Sequence, residues 1–191
     1  MPSKSESIVI GFDPGLTRCG FGVVSKGNSR QVSFLEVGVF ESAKDLDQAI
    51  RIAEIGDAVA KLLDRVKPTQ IAIERLFAQQ NLHSVMGVAQ ISGVIVYLAH
   101  LRDIPITFYT PTEVKAAVTG SGRANKAQVS NMVMQILKLK EIPKPADAAD
   151  ALAIAVTLAW RGGKERATSI STETKAQEKW RTAIAAAKKS R

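Results

Sequence analysis

The sequence predicts an α/β domain, in which a mixed β-sheet is flanked by helices. Three observations support this class. Three short apolar segments follow one another near the N-terminus with short links, which indicates an antiparallel meander. The remainder of the chain then alternates helical and strand-like patterns. Its end contains consecutive helical patterns, so the predicted order is βββαβαβααα.

The first strands and the first helix are predicted from apolar runs and turn signals. "SIVIGF" leads into Asp13, and "CGFGVVS" and "RQVSFLEVGVF" follow with the turn-like "KGNS" between them. A helix is predicted over 45–66, and Lys67-Pro68 ends it. "QIAIE" is then a strand that ends at Glu74. The helix places apolar residues at positions 46, 49, 50, 53, 59, 62, 63 and 66, as one stripe.

The second half of the chain predicts one more strand and four helices. A long helix is expected from about Leu82 to Leu101, followed by the strand "IPITFY" and a short helix in "TPTEVKAAV". The loop "TGSGRAN" precedes a helix in "KAQVSNMVMQILKL". Pro143 and Pro145 interrupt the chain next and allow a last helix to begin near Ala146.

Length and composition indicate one globular domain with extensions. We expect a disordered N-terminus over 1–7, a compact domain over 8–162 and a basic, flexible C-terminal tail over 163–191. A single cysteine, Cys19, excludes an internal disulfide and is typical of a reducing compartment. The polar start has no apolar core of a signal peptide, and the apolar runs are too short to span a bilayer. The sequence therefore predicts a cytoplasmic protein without a membrane partner.

The formal net charge of +8 suggests a polyanionic partner, but the charge is unevenly distributed. Residues 161–191 hold nine Lys and Arg against three Asp and Glu, whereas the rest of the chain holds 17 against 15. Contact with nucleic acid and a simple solvated charge run are equally compatible with this tail.

Two acidic residues stand at the ends of predicted strands. Asp13 closes "IVIGFD" and Glu74 closes "IAIE". If these strands are parallel neighbours, helix 45–66 supplies the long connection that such pairing requires. Both carboxylates then reach the same carboxyl edge of the sheet, where ligands of open α/β sheets bind.

Two more acidic residues begin the last helix. Asp147 and Asp150 are three residues apart and share one helix face. Capping of the helix N-terminus is the alternative explanation, but it needs only one of them. The motifs contain no obvious basic residue to pair with each acid, so we expect divalent cations. Oxygen ligands favour Mg²⁺ or Mn²⁺, and two such ions roughly 3.5–4 Å apart would support phosphodiester hydrolysis.

Four segments resemble one known family, the bacterial RuvC Holliday-junction resolvases. They are "GFDPGLTRCGFGVV", "IAIERLFAQQN", "PTEVKAAVTGSGRANKAQV" and "ADAADALAIA", in the family's order and spacing. The resemblance implies a ribonuclease H-like fold whose five-stranded sheet has three antiparallel strands and then two parallel ones. It implies that Asp13, Glu74, Asp147 and Asp150 are the catalytic metal ligands, with two Mg²⁺ per subunit and Mn²⁺ as a substitute.

The resemblance also implies the substrate and the partners. A homodimer would make paired symmetric nicks in a four-way DNA junction during recombination and repair, leaving 5′-phosphate and 3′-hydroxyl ends. Cleavage sites containing thymine, cooperation with the RuvA–RuvB branch-migration complex and a nucleoid-associated location follow from the same resemblance.

Five further residues are candidate DNA contacts. By resemblance, Phe77 lies near the bases of the junction, and Lys115 and Lys126 lie near the DNA. Arg75 and Arg123 are plausible phosphate contacts. A core phenylalanine and solvated lysines are the alternative interpretations. The chain departs from relatives at two positions, where Gln80 and Ser92 replace residues that are often basic.

Helix 82–101 is apolar nearly all round, which indicates burial on more than one side. Val85, Met86, Ala89 and Val96 fall on one side of this helix. A helix covered within its own domain and a helix covered by a partner subunit are equally compatible with this pattern.

Three other functions remain open on the sequence alone. The Asp-Pro-Gly-x-Thr turn also occurs in actin-like and sugar-kinase phosphotransferases, which need a second such domain. A non-catalytic junction-binding scaffold could retain the fold, and a nuclease of this fold could act on another nucleic acid, such as an RNA precursor.

Overall fold

The computed structural model describes residues 7–28, 30–75 and 82–162, with side chains from Val85 onward in the last range. The predicted tail 163–191 and all but the last residue of the predicted N-terminal segment lie outside the described residues. The first strand begins at Ser7.

The described residues form a five-stranded mixed sheet in the order β3-β2-β1-β4-β5. β1 pairs antiparallel with β2, and β2 antiparallel with β3. β1 pairs parallel with β4, and β4 parallel with β5. The predicted α/β class and the predicted sheet, with three antiparallel strands followed by two parallel ones, are confirmed. The strands are β1 (Ser7–Asp13), β2 (Arg18–Lys26), β3 (Val32–Glu41), β4 (Gln70–Glu74) and β5 (Ile106–Tyr109).

The helices begin and end where local signals place them. Thr110 and Asn125 each form a capping box with the residue three positions later, which starts the third and fourth helices. None of the helices in the described ranges is long and apolar enough to cross a membrane. The helices are α1 (Gln48–Val66), α2 (Leu82–His100), α3 (Pro111–Thr119), α4 (Lys126–Ile136) and α5 (Ala146–Arg161).

The apolar stripe predicted for the first helix is buried only in its second part. Leu46 precedes α1, and Ile50 in its first turn is 50% exposed. Burial begins at Ile55 and continues through Val59 to Leu63. The predicted helix is present, and it begins at Gln48 rather than at position 45. Periodicity identifies the residues that share a helix face, but it does not show whether another element covers that face.

Each face of the sheet has its own hydrophobic cluster. Ile10 and Phe12 of β1 lie in the cluster that includes α1 and α2, whereas Val9 lies in the cluster that includes α3, α4 and α5. On β4, Ile71 and Ile73 face the first cluster and Ala72 the second. This is the period-2 alternation of a strand that is covered on both faces. Cys19 is buried in the first cluster, and burial raises the pKa of its thiol to about 12.

Glycines let α5 approach the backbone of β1 and β2. A Cβ on Gly11 would lie 3.0 Å from Cα of Ala155, and one on Gly22 would lie 2.8 Å from Cα of Leu152. The register pairs these two glycines across β1 and β2. Gly20 repeats the contact one turn earlier, because its Cβ would lie 2.7 Å from the carbonyl carbon of Asp147. The start of α5 is therefore fixed against the sheet by main-chain packing.

We predict that Gly11→Ala destabilises the protein by about 2 kcal/mol or more, because its methyl group would meet helix backbone that cannot move independently. Gly27→Ala is the matched control, since the nearest atom to a Cβ there is the Cβ of Gln31 at 3.3 Å, a contact that a small adjustment relieves. Urea denaturation should give a clearly lower midpoint for the first variant and nearly the wild-type midpoint for the second. Equal midpoints for Gly11→Ala and wild type would contradict the close packing.

Candidate active site

Asp13 and Glu74 stand side by side at one edge of the sheet. The parallel register pairs Phe12 with Ile73, the residues immediately before the two acids. Alternation along the strands directs both acids to the α5 side, because Gly11 contacts α5 and Ala72 belongs to the α5 cluster. The predicted meeting of the two strand ends is therefore present in the structure.

Asp147 and Asp150 lie in the first turns of α5, directly over that edge. The N-cap of α5 is Pro145, and α5 has no side-chain cap hydrogen bond. The capping explanation of these two aspartates is therefore not supported. Their side chains are 25% and 27% exposed, so both are partly withdrawn from water. Contact of Gly20 with the main chain of Asp147 positions the first of them.

The carboxyl group of Asp13 has a strongly perturbed pKa. Burial, the largest cause, and the charges of Glu74, Asp150 and Asp147, in that order, together raise this pKa from 3.8 to about 7. Lys126 acts in the opposite direction. All four acids predicted from the sequence therefore share one electrostatic environment.

Glu74 is affected in the same way. Burial is the main cause that raises the pKa of its carboxyl group, and the charge of Asp150 adds to it. Lys126 and Lys115 both lower this pKa, so the two lysines predicted near the DNA lie beside the carboxylates.

Two of the acids form ion pairs with basic side chains. Nε of Arg18 donates to Oδ2 of Asp147 at 2.8 Å, and Nζ of Lys126 lies 2.6 Å from Oδ2 of Asp150. The ion pair with Asp150 also raises the pKa of Lys126. The expectation that the motifs provide no basic partner is therefore wrong, because chain segments distant in sequence supply these two.

Arg18 is the residue at this site that sequence reasoning missed. It lies two residues before Gly20 on β2, so the alternation of the strand places both on the face that α5 covers. To identify Arg18 as a partner of Asp147, one needs the position of β2 relative to α5, which the sequence does not give. Lys126 reaches Asp150 because it is the first residue of α4, which packs beside α5.

The donor chemistry of the site suits a hard divalent cation, since four carboxylates offer only oxygen ligands. Among the described residues, no three acidic, histidine or cysteine side chains are grouped closely enough to form a preassembled metal site. Asp147 and Asp150 are instead directed to Arg18 and Lys126. Asp13 and Glu74 remain buried with raised pKa values, which a cation would lower.

Comparison with known families decides the assignment. The model of the family "Crossover junction endodeoxyribonuclease RuvC" matches residues 9–158, a range that contains all four carboxylates. The chain belongs to the RuvC family. As a member, it is an endonuclease of the crossover junction class. The family resemblance inferred from the sequence motifs is thereby confirmed.

Individual RuvC proteins support this assignment over most of their length. The RuvC of Leifsonia xyli is 54% identical over 155 residues, which cover 81% of this chain and 74% of that protein. The RuvC of Renibacterium salmoninarum is 49% identical over 181 residues, which cover 95% and 94%. The solved structure of Thermus thermophilus RuvC in complex with a Holliday junction substrate has a TM-score of 0.77 and 34% identity. It covers 81% of this chain and 94% of that one.

The remaining candidate DNA contacts of this RuvC family member are dispersed. Arg123 is exposed in the loop before α4, and Arg75 is exposed just after β4. The charge of Arg75 acts on Glu113, at the start of α3. Phe77 lies outside the described residues, as does Gln80. Ser92 is partly buried in α2, and its Oγ has no hydrogen-bond partner within the described part of the chain.

We predict that Asp13→Asn stabilises the metal-free protein at neutral pH. A folded-state pKa near 7 means that the native state holds a proton that the unfolded state releases above about pH 4. Wild-type stability should therefore fall as the pH rises from about 4 to about 7, and the variant should lack this loss. At pH 8 the free energy of unfolding of the variant should exceed that of wild type by an amount on the order of 2 kcal/mol.

Urea denaturation in EDTA at pH 5 and pH 8 measures this effect. Asp57→Asn on the exposed face of α1 is the control. Its stability should change between the two pH values by the same amount as that of wild type. A parallel pH dependence for Asp13→Asn and wild type would contradict the prediction.

Proposed function

We propose that this protein is a Mg²⁺-dependent Holliday-junction resolvase. The observation that carries the proposal is the convergence of four carboxylates, from two strand ends and one helix, in a member of the RuvC family. The solved Thermus thermophilus relative is described in complex with a Holliday junction substrate. The family consists of metal-dependent nucleases. Two Mg²⁺ per subunit, with Mn²⁺ as a substitute, are part of the proposal.

In this proposal, Asp13, Glu74, Asp147 and Asp150 hold the metal ions. Bound divalent metal would supply an activated water and stabilise charge on the phosphodiester. Asp13 and Glu74 are fixed by the sheet, so they provide the rigid part of the site. Asp147 and Asp150 are set by the start of α5, which glycine packing holds against β2.

The neighbouring lysines provide positive charge beside the reacting phosphate. Lys126 has a raised pKa and remains protonated at neutral pH, so it can donate to a phosphate oxygen as the negative charge develops. Lys115 lies close enough to Glu74 to affect its pKa and is proposed to contact the backbone of the same strand. Arg75, Arg123 and Phe77 are proposed contacts of the junction arms and bases.

Other parts of the function are also inferred from the family resemblance. We propose paired symmetric nicks with 5′-phosphate and 3′-hydroxyl ends, and cooperation with a RuvA–RuvB complex. A cytoplasmic, nucleoid-associated location belongs to the same proposal. The proposal includes a nuclease domain over 8–162 and a basic tail over 163–191. Because the tail carries most of the net charge, it would attract DNA without sequence preference.

We predict that Asp13→Asn, Glu74→Gln and Asp150→Asn each reduce nicking of a four-way junction by about a thousandfold or more, because each removes a metal ligand. Junction binding should persist, since loss of negative charge does not weaken affinity for a polyanion. Asp64→Asn, an exposed acid paired with Arg102, is the control and should cut at the wild-type rate.

The assay compares a four-way DNA junction with linear duplex, single strands and an RNA–DNA hybrid in Mg²⁺. Nicks restricted to the junction support the proposal. Cutting of the hybrid instead would retain the chemistry and replace the substrate, and tight junction binding without any cut would indicate a scaffold. Near wild-type cutting by the three variants would exclude the proposed site.

A homodimer is part of the proposed function, because two symmetric nicks require a two-fold enzyme. One face of α2 supports it. Met86, Tyr97 and Leu101 are about 60% exposed, and Gly93 between them has no neighbour within 4 Å of a Cβ. Ile91 and Ile95 on the opposite face are fully buried. An exposed apolar stripe of this length is typical of a protein interface, and an exposed glycine permits close helix contact.

We predict that Tyr97→Lys weakens dimerisation at least tenfold, because it places a charge in the apolar stripe. Leu35→Lys is the matched control, since Leu35 is also an exposed apolar residue, 47% exposed, but lies on the edge strand β3. Sedimentation equilibrium measures both. An unchanged dimer in Tyr97→Lys together with a monomeric Leu35→Lys would move the interface from α2 to β3.

A further inference from the structure

We propose that Arg18 competes with metal for Asp147. In the metal-free enzyme Arg18 forms an ion pair with Asp147, and when metal and substrate bind it leaves this carboxylate and binds a DNA phosphate instead. The proposal rests on the proposed metal site and adds to it a residue that controls when the site can assemble. Arg18 is a positioning residue in this scheme and takes no part in the reaction.

The ion pair between Arg18 and Asp147 is the first observation. Nε of Arg18 lies 2.8 Å from Oδ2 of Asp147. This oxygen would have to be free of Arg18 to coordinate a metal ion. Asp147 is only 25% exposed, whereas the side chain of Arg18 is 52% exposed. The carboxylate is therefore held in place, and the guanidinium is the partner that can leave at low cost.

The pair between Lys126 and Asp150 repeats the arrangement on the other aspartate. Nζ of Lys126 lies 2.6 Å from Oδ2 of Asp150, with the lysine 62% exposed and the aspartate 27% exposed. Both aspartates of α5 are thus paired with exposed basic side chains, whereas Asp13 and Glu74 have no such direct pair among the described contacts. A metal ion that enters the site therefore competes with Arg18 and Lys126. Consistent with this competition, no three potential metal ligands among the described residues are already grouped for metal binding.

A cleft next to the ion pair offers the released guanidinium a new partner. Its volume is about 910 Å³, and Arg18, Lys44 and Arg51 line it together with Asp147, the single carboxylate among its described lining residues. Arg51 is fixed by donating to Oγ of Ser42 and Oγ1 of Thr17, so one basic wall of the cleft is rigid. A phosphate of the substrate backbone in this cleft would meet positive charge and could accept the guanidinium in bidentate fashion.

Coupling between metal and DNA follows from this exchange. A phosphate that takes Arg18 frees Asp147 for metal, and a metal ion that takes Asp147 frees Arg18 for phosphate. Each ligand therefore raises the affinity for the other, as linkage requires. Metal would be held weakly by the enzyme alone and more tightly by the enzyme on DNA.

Binding of Mn²⁺ to the full-length protein without DNA tests the proposal, with free Mn²⁺ followed by electron paramagnetic resonance. Arg18→Gln should bind Mn²⁺ roughly three- to fivefold more tightly than wild type, because a partly exposed ion pair no longer competes. Arg18→Lys retains a cation and should stay near the wild-type affinity. A residue with a merely structural role would not tighten metal binding when it is removed.

Arg65→Gln is the matched control, because Arg65 on α1 pairs with Glu36 on β3 at 2.8 Å with similar exposure, 59% and 36%. It should leave Mn²⁺ affinity unchanged. Equal or weaker Mn²⁺ binding by Arg18→Gln, with binding still lost in Glu74→Gln, would overturn the role of Arg18 and leave the metal site intact. Mn²⁺ binding that survives Glu74→Gln would overturn the metal site and this proposal with it. Neither result depends on which nucleic acid the enzyme cuts.

Discussion

The close packing of α5 on the backbone of β1 and β2 is the constraint on which the rest of the structure depends. Three glycines, Gly11, Gly20 and Gly22, remove the side chains that would otherwise separate helix from sheet. α5 itself is rich in alanine and is buried from Ala151 to Ala159, so it presents small side chains to the strands. This spacing brings acidic residues of the helix over acidic residues of the sheet, which is unfavourable unless other charges compensate.

The four carboxylates of the site therefore repel one another, and two kinds of positive charge compensate this repulsion: basic side chains and, in the proposed mechanism, metal ions. Burial and mutual repulsion raise the pKa of Asp13 to about 7, so the metal-free fold carries this carboxyl at a cost at neutral pH. Arg18 and Lys126 neutralise the two aspartates of α5 at the partly exposed rim. Divalent cations complete the compensation in the proposed mechanism. In the proposed mechanism, the metal-free protein is less stable at neutral pH because its carboxylates are arranged to bind metal.

The two faces of the sheet have separate tasks. The face under α5 carries the carboxylates, and the face under α1 and α2 carries a purely apolar cluster that includes Ile10, Phe12 and Ile73. α2 covers that cluster with Ile91 and Ile95 and turns Met86 and Tyr97 outward. Tyr97 in the proposed dimer contact and the carboxylates therefore lie on opposite faces of the sheet, whereas Met86, near the start of α2, lines the cleft beside Arg18 and Asp147.

The sequence by itself determined the order of the elements, the mixed sheet and the positions of the four acids, because local signals decide these features. Alternation in "IVIGFD" and "IAIE", the capping residues Thr110 and Asn125, and the prolines before α5 all act within a few residues. Only the tertiary structure decided what the acids face. Arg18 is 129 residues from Asp147, and Lys126 reaches Asp150 from another helix. Pairings of this kind depend on the register of β2 and on the docking of α4 against α5, and no local pattern in the chain encodes either. The exposed first turns of α1 have the same origin, since coverage of a helix face is set by its neighbours in space.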